Sequence, residues 1–248
     1  MTDEPHAELG AVPRHIAVIM DGNGRWARSR GLPRVAGHRA GIESVRVVVR
    51  ECSDLGVGVL TLYAFSTENW KRPAREVNML MRILREYLRR EVAELVRNDV
   101  RVRAIGRIDE LPGAVCAELR HAEEATRSCG GMELNLAVNY GGRADIVDAV
   151  RSLAADAAAG KLQPEDIDDD DVAARLQTAG QPDPELLIRT SGEARLSNFL
   201  LWQLSYAEMV VTPILWPDFR AEQLREAIRE FGRRHRRLGG VQTADAAG

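Results

Sequence analysis

No run of apolar residues in the 248-residue chain approaches the ~20 needed to cross a bilayer as a helix. Cysteine is scarce. Cys52, Cys116 and Cys129 form no metal-spaced pair, and so sparse and odd a set argues against a disulfide frame and for a reducing compartment. Excess charge is also missing. With a formal net charge of −3, no global field draws the chain to nucleic acid or to an anionic membrane, so any anion site must be local. The first dozen residues are polar and acidic, unlike a secretory signal, and this too points to the cytoplasm. Internal repeats and linkers are absent. What is present is apolar material, 45% of residues, enough for a substantial core.

That material is arranged in alternating periods. Short apolar runs at Ile16–Met20, Val59–Phe65, Val100–Ile105, Met132–Asn139, Leu186–Ile188 and Met209–Thr212 read as strands. Helical periods fall between them, over Gly41–Leu55, Glu76–Asn98, Pro112–Ser128, Ala144–Ala159, Val172–Gln177, Asn198–Tyr206 and Ala221–Leu238. The pattern implies one α/β domain over residues 15–240, with about six mainly parallel strands flanked by helices. Residues 1–14 and 241–248 read as flexible tails. In the long helix, Leu80, Leu84, Tyr87, Leu88, Val92 and Leu95 share a side, either as core packing or as the wall of an apolar tunnel. The acidic run Glu165–Asp171 reads as a solvated loop whose last residues cap a helix.

Four stretches carry chemistry. Ile16–Met20 stops at Asp21, and Gly22-Asn23-Gly24 then opens a basic stretch through Arg25, Arg34 and His38. An Asp at the C-terminal end of a parallel strand, before a Gly-rich turn, sits where α/β sheets bind ligands. Such a turn is either an anion cradle with a carboxylate for a divalent cation or an ordinary βα turn. It matches neither Gly-x-x-x-x-Gly-Lys-Ser/Thr nor Gly-x-Gly-x-x-Gly. Ser66-Thr-Glu-Asn-Trp-Lys-Arg-Pro73 follows a buried strand, as a substrate-covering loop would. Arg189-Thr-Ser-Gly-Glu-Ala-Arg195-Leu-Ser197 places two Arg and small hydroxyls around a glycine, either an anion clamp or a surface ion-pair cluster. Tyr206-Ala-Glu208 contributes one carboxylate.

Together the stretches Asp-Gly-Asn-Gly-Arg-Trp26, Phe65-Ser-Thr-Glu-Asn-Trp-Lys-Arg-Pro73, Asn139-Tyr-Gly-Gly-Arg143, Ile188-Arg-Thr-Ser-Gly-Glu193 and Trp216-Pro-Asp-Phe219 resemble the cis-prenyltransferases of the undecaprenyl diphosphate synthase type. The resemblance covers nearly the whole chain. It implies a Mg²⁺-dependent enzyme that condenses isopentenyl diphosphate with an allylic diphosphate such as farnesyl diphosphate. The product would be a Z-polyprenyl diphosphate, of long, undecaprenyl-like length or, alternatively, short to medium. It further implies that Asp21 is the catalytic carboxylate and, with Glu208, a metal ligand. Gly22, Asn23, Gly24, Arg25, Arg34 and His38 would hold the allylic diphosphate, with Trp26 beside the prenyl chain. Ser66, Thr67, Glu68, Trp70 and Arg72 would belong to a mobile substrate loop, with Asn69 in the proton acceptor's place. Arg189, Arg195, Leu196 and Ser197 would take isopentenyl diphosphate. The basic end Arg236–Gly240 implies a homodimer, and product release implies transient membrane contact.

Ser191 and Ala194 depart from the family pattern, where Gly and His are frequent, so no binding role is carried to Ala194. Strict alternation along strand two puts Leu62, Ala64 and Ser66 on one face, with Ala64 deeper in the tunnel than Ser66.

Overall fold

A strand with no polar side chain needs cover on both faces, and this chain supplies it by interleaving helices. A computed structural model describes residues 9–234. The strands are β1 (His15–Ile19), β2 (Val59–Ser66), β3 (Arg101–Ile105), β4 (Glu133–Tyr140), β5 (Leu186–Arg189) and β6 (Glu208–Val211). The helices are α1 (Asn23–Ser29), α2 (Arg34–Asp54), α3 (Ala74–Arg97), α4 (Gly113–Ala125), α5 (Gly142–Ala158), α6 (Asp169–Ala173) and α7 (Ala221–Arg233). The strands form one sheet in the order β3-β4-β2-β1-β5-β6, and every pairing is parallel. β2 lies on one side of β1 and β5 on the other, so the order reverses at β1. Beyond the carboxyl ends of such strands a parallel sheet leaves a crevice.

The larger core joins Ile16, Val18, Leu60, Leu62 and Leu134 to Val48, Leu88, Leu119 and Ile228 of the helices. On the opposite face Ala17, Ile19, Ala137 and Tyr140 pack under Phe199, Leu200 and Leu204. No helix among the described residues is long and apolar enough to cross a membrane.

Several elements differ from expectation. The Asn198–Tyr206 segment forms turns instead of a helix, because Ser197, Asn198 and Leu200 hold φ of 51°, 62° and 41°, outside right-handed helical space. α2 starts at Arg34, a full turn and more before Gly41, along charged residues that carry no apolar period. α1 was not expected at all, being only seven residues long inside a Gly-rich motif. The helix expected at Val172–Gln177 is instead α6, capped by the Asp168 side chain, which accepts from the Asp171 N–H at 3.0 Å. The acidic run therefore serves as a cap, in an earlier register. The Arg236–Gly240 segment, on which the dimer expectation rested, lies outside the described residues, as do most of both expected tails.

At the amino ends of the strands His15 is fully buried. Its Nδ1 lies 2.7 Å from the Pro182 carbonyl, which only accepts, so Nδ1 carries the proton. Its Nε2 then accepts from the Thr61 hydroxyl at 2.7 Å. Burial lowers the His15 pKa from 6.5 to about 4. The unfolded chain thus binds this proton below pH 6.5, and the folded chain only near 4. Stability from a neutral His15 is complete above pH 6.5 and is lost as pH falls toward 4, on the order of 3 kcal/mol. Urea midpoints should therefore drop across that window. His15→Asn should lower the midpoint at pH 7 and flatten the slope; an unchanged slope would remove His15 as its source.

Candidate active site

The site is assembled where β1, β2 and β5 end. Asp21 follows β1, and hydrogen bonds to Thr190 and Trp216 fix its main chain. Its N–H donates to Thr190 Oγ1 at 2.9 Å, and its carbonyl accepts from the Thr190 hydroxyl at 2.6 Å and the Trp216 N–H at 3.0 Å. Its carboxylate accepts from the Gly22 N–H at 2.6 Å and from Arg189 Nη2 at 3.0 Å. Gly22 has φ of 105°, and a Cβ there would lie 2.9 Å from Leu215 Cδ2 and 3.0 Å from Ser191 Cβ. Only glycine lets the chain turn from β1 into α1.

Arg189 closes β5 and is 2% exposed. Beyond its bond to Asp21, its Nη1 donates to Ser197 Oγ at 2.8 Å and to the Arg195 carbonyl. The 189–197 loop therefore wraps around one buried guanidinium. Arg195 itself points outward and pairs with Glu193. Arg25 lies 3.6 Å from Asp21 Oδ2 and 3.5 Å from Glu193. Across the mouth, Glu76 accepts from Arg34 at 3.4 Å and Arg72 at 3.2 Å, holding two cations at one edge.

Behind this rim lies a cavity of about 330 Å³. Its mouth is lined by Asp21, Gly22, Asn23, Gly24, Arg34, His38, Ser66, Asn69, Arg72, Arg189 and Ser197. Its body is apolar, built from Ile42 and Val45 of α2, Leu80, Leu84 and Tyr87 of α3, Leu62 and Leu136 of the sheet, and Trp216. Among the described residues four buried polar atoms lack a partner, and three of them belong to this lining: Asn23 Oδ1, His38 Nε2 and Arg189 Nε. Buried polar groups are normally satisfied, so their gathering here marks a site for a polar ligand group. Burial, reinforced by the Arg72 charge, lowers the His38 pKa to about 4. The ring is neutral and can donate or accept.

Eleven of the expected residues thus line one cavity, and others do not. Trp26, expected beside a prenyl chain, donates from its indole to Asp218 at 2.7 Å, with Arg30 stacked 4.1 Å from its ring centroid. Thr67, Glu68 and Trp70 lie outside the lining, in a 3₁₀ turn over Thr67–Lys71. Arg25, Arg195 and Leu196 are likewise outside it. Asn69 reaches the lining, but its Oδ1 already accepts from the Ser66 N–H at 3.1 Å. Glu208 is the clearest departure. It pairs in register with Leu186, and Leu186 with Ile16, so it opens β6 at the end of the sheet opposite Asp21. Its carboxylate accepts from Arg234 at 2.9 Å. One chain does not bring Glu208 to Asp21.

Ala64 does line the cavity, by an unexpected route. β2 pairs Tyr63 with Ala137 but Phe65 with Val138, which leaves Ala64 as an extra residue in a bulge. Glu76 and Trp216 were missed by sequence reasoning. The Arg72–Glu76 spacing, one helical turn, was a signal for the first. The Trp216-Pro-Asp-Phe219 stretch was the signal for the second, although no site role was drawn from it.

Asp21 is the sole carboxylate in the lining, and the described residues hold no cluster of three or more metal-type ligands. That donor set fits Mg²⁺, which is usually held by one or two carboxylates together with substrate phosphate oxygens, and it does not fit an all-protein cage.

Residues 19–239 match the family model described as "Putative undecaprenyl diphosphate synthase". The chain belongs to the cis-prenyltransferase family. The enzyme is 56% identical over 239 residues to an isoprenyl transferase of Heliobacterium mobile, covering 96% of this chain and 90% of that one. It is 51% identical to an isoprenyl transferase of Bacillus subtilis, covering 94% and 89%. Lavandulyl diphosphate synthase from Lavandula x intermedia, solved in complex with dimethylallyl diphosphate, superposes with a TM-score of 0.89 at 41% identity, over 91% and 97% of the two chains. A probable undecaprenyl diphosphate synthase from Campylobacter jejuni gives 0.76 at 33% identity, over 92% and 99%. The enzyme is a prenyl transferase, and its substrates are isoprenoid diphosphates.

Asp21 balances a buried Arg189, so truncating it would strand a charge and cost stability. Asp21→Asn keeps an acceptor for the Gly22 N–H and for Arg189, so although the guanidinium loses its counter-charge this is the milder test. Prenyl transfer should fall about 10²-fold or more, in a protein that still folds but melts below wild type and above Asp21→Ala. Near-normal turnover in that variant would remove Asp21 from the chemistry.

Proposed function

We propose that the enzyme extends farnesyl diphosphate with isopentenyl diphosphate to a long Z-polyprenyl diphosphate of undecaprenyl type. The observation that carries this reading is the division of one cavity into a cationic mouth and an apolar body. The allylic diphosphate sits at Gly22–Gly24, Arg34, His38 and Arg72, with its prenyl tail toward Leu84 and Tyr87. Isopentenyl diphosphate sits at Arg189, Arg195 and Ser197.

The C1–O bond of the allylic substrate breaks, and diphosphate leaves with the electron pair. Charge that develops on it is met by guanidinium groups and by the N–H groups of the turn, in a site that needs no reorganisation. Asp21 would hold Mg²⁺, which would supply further charge stabilisation when bound. The double bond of isopentenyl diphosphate attacks C1, and its C2 then loses a proton to form the new Z double bond. An amide is a poor base, and the Asn69 carbonyl is already engaged, so the released diphosphate takes that proton. Asn69 fixes the loop around it.

One observation favours a shorter product. The cavity of about 330 Å³ lies at the low end for ligand pockets, and lavandulyl diphosphate synthase shares the fold closely. The long-product reading therefore requires the α3 wall to give way as the chain grows. Ala64, small and exposed on the bulge, leaves that route open. Labelled isopentenyl diphosphate with primers of several lengths, and chromatographic sizing of products, distinguishes the two.

Arg195→Ala removes an exposed charge without stranding a partner in the core. It should raise the KM for isopentenyl diphosphate about ten- to a hundredfold and change that for farnesyl diphosphate much less. Equal losses for both substrates would refute the division into two subsites. Ala64→Leu should fold normally, complete the first condensations and accumulate shorter products. Unchanged lengths would place the growing chain elsewhere.

A further inference from the structure

The Asn139–Arg143 stretch has no part in the chemistry above, yet it sits between the two halves of the site. β4 ends there and α5 begins. On one side it meets the Ser66–Arg72 turn, through a bond of 2.7 Å from Trp70 Nε1 to Asn139 Oδ1. On the other it meets the residues just after Ser197. Asn198 is the piece that joins all three. Its Nδ2 donates to Glu68 Oε1 at 2.9 Å, and its Oδ1 accepts from the Arg143 N–H at 2.9 Å. Its carbonyl accepts from the Gly142 N–H at 2.7 Å. A Cβ at position 141 would lie 2.8 Å from both Asn198 Nδ2 and Thr67 Oγ1, so the junction closes only around a glycine. The Tyr63 hydroxyl, 3.3 Å from the carbonyls of Tyr140 and Ser197, ties the same junction to β2.

We infer that Asn198 is a positioning residue that locks the Glu68 turn to the Arg189–Ser197 loop and so fixes the spacing of the two diphosphate subsites. The inference rests on the two-subsite reading above. Asn198 has φ of 62°, a conformation that asparagine tolerates and most residues avoid. The position thus asks for two properties at once, left-handed backbone and a side chain that both donates and accepts. Glycine supplies only the first. Aspartate supplies the backbone and the acceptor, but it sets a second carboxylate against Glu68.

These differences define the test. Steady-state kinetics with isopentenyl and farnesyl diphosphate, and thermal melting, are measured for wild type, N198G, N198D, E68A and both double variants. N198G should melt close to wild type and lose about tenfold or more in kcat, with KM moving much less, because misplaced reactants react slowly even when bound. N198D should lose more than N198G. Adding E68A to N198D should restore it to the level of E68A alone, and N198G with E68A should be no worse than the poorer single variant. Wild-type kcat in N198G, or losses that multiply in the doubles, would overturn the inference. If N198G fails to fold, the N198D and E68A pair still decides, since Glu68 is exposed and its truncation strands nothing. A wild type that does not condense the two diphosphates would instead sink the proposed reaction, and the control reports that separately.

Discussion

One ion pair organises the mouth of this enzyme. Asp21 and Arg189 end adjacent parallel strands, and their side chains meet at 3.0 Å over the sheet's carboxyl edge. The guanidinium is almost fully withdrawn from water, and a buried charge without a partner is strongly destabilising. Each member therefore fixes the other. Once Arg189 is fixed, its remaining nitrogens gather the Arg195 carbonyl and the Ser197 hydroxyl, and the loop has little choice of path. Once Asp21 is fixed, it holds the Gly22 N–H and so sets the start of α1. The pair does locally what the sheet does globally, placing polar groups from distant sequence positions on one rim.

Much of this was legible in the sequence for a simple reason. A strand buried on both faces rarely carries a charged residue, so the first one marks its end. Asp21 and Arg189 are such terminators, and the sheet brings strand ends together whatever the loops do. Helices with apolar stripes were legible for the same reason, and most boundaries fell within a few residues. The stripe on α3 proved to serve two purposes. Leu88 and Leu95 enter the core, whereas Leu80, Leu84 and Tyr87 face the cavity. Periodicity reports burial and cannot tell a packed neighbour from an open space.

What was not legible follows from short range or from tertiary override. α1 is too brief to show a period, and its motif reads as turn. The segment after Ser197 has helical composition, but its backbone is held left-handed by partners far away in sequence. Trp26 has the chemistry of a ligand-stacking residue, yet Asp218 and Arg30 claim it. Glu208 lies near Arg189 in the sheet's lateral order but at the wrong end along the strand axis. A sequence fixes lateral order more readily than height.

The bulge at Ala64 has a wider consequence. It is local: Tyr63 pairs with Ala137 and Ser66 with Tyr140 in the same register, so the extra Ala64 on β2 is matched by Asn139 on β4. Up to Tyr63 and again at Ser66 the strand runs in step with β4, and only Ala64 and Phe65 are displaced. Ala64 thereby meets the cavity without shifting the paired residues on either side of it. Leu60 answers to packing alone, Leu62 serves both core and cavity wall, and position 64 answers to what must slide past it. A strand in perfect register would have tied those two demands together, and any change of pore calibre would have been felt in the core.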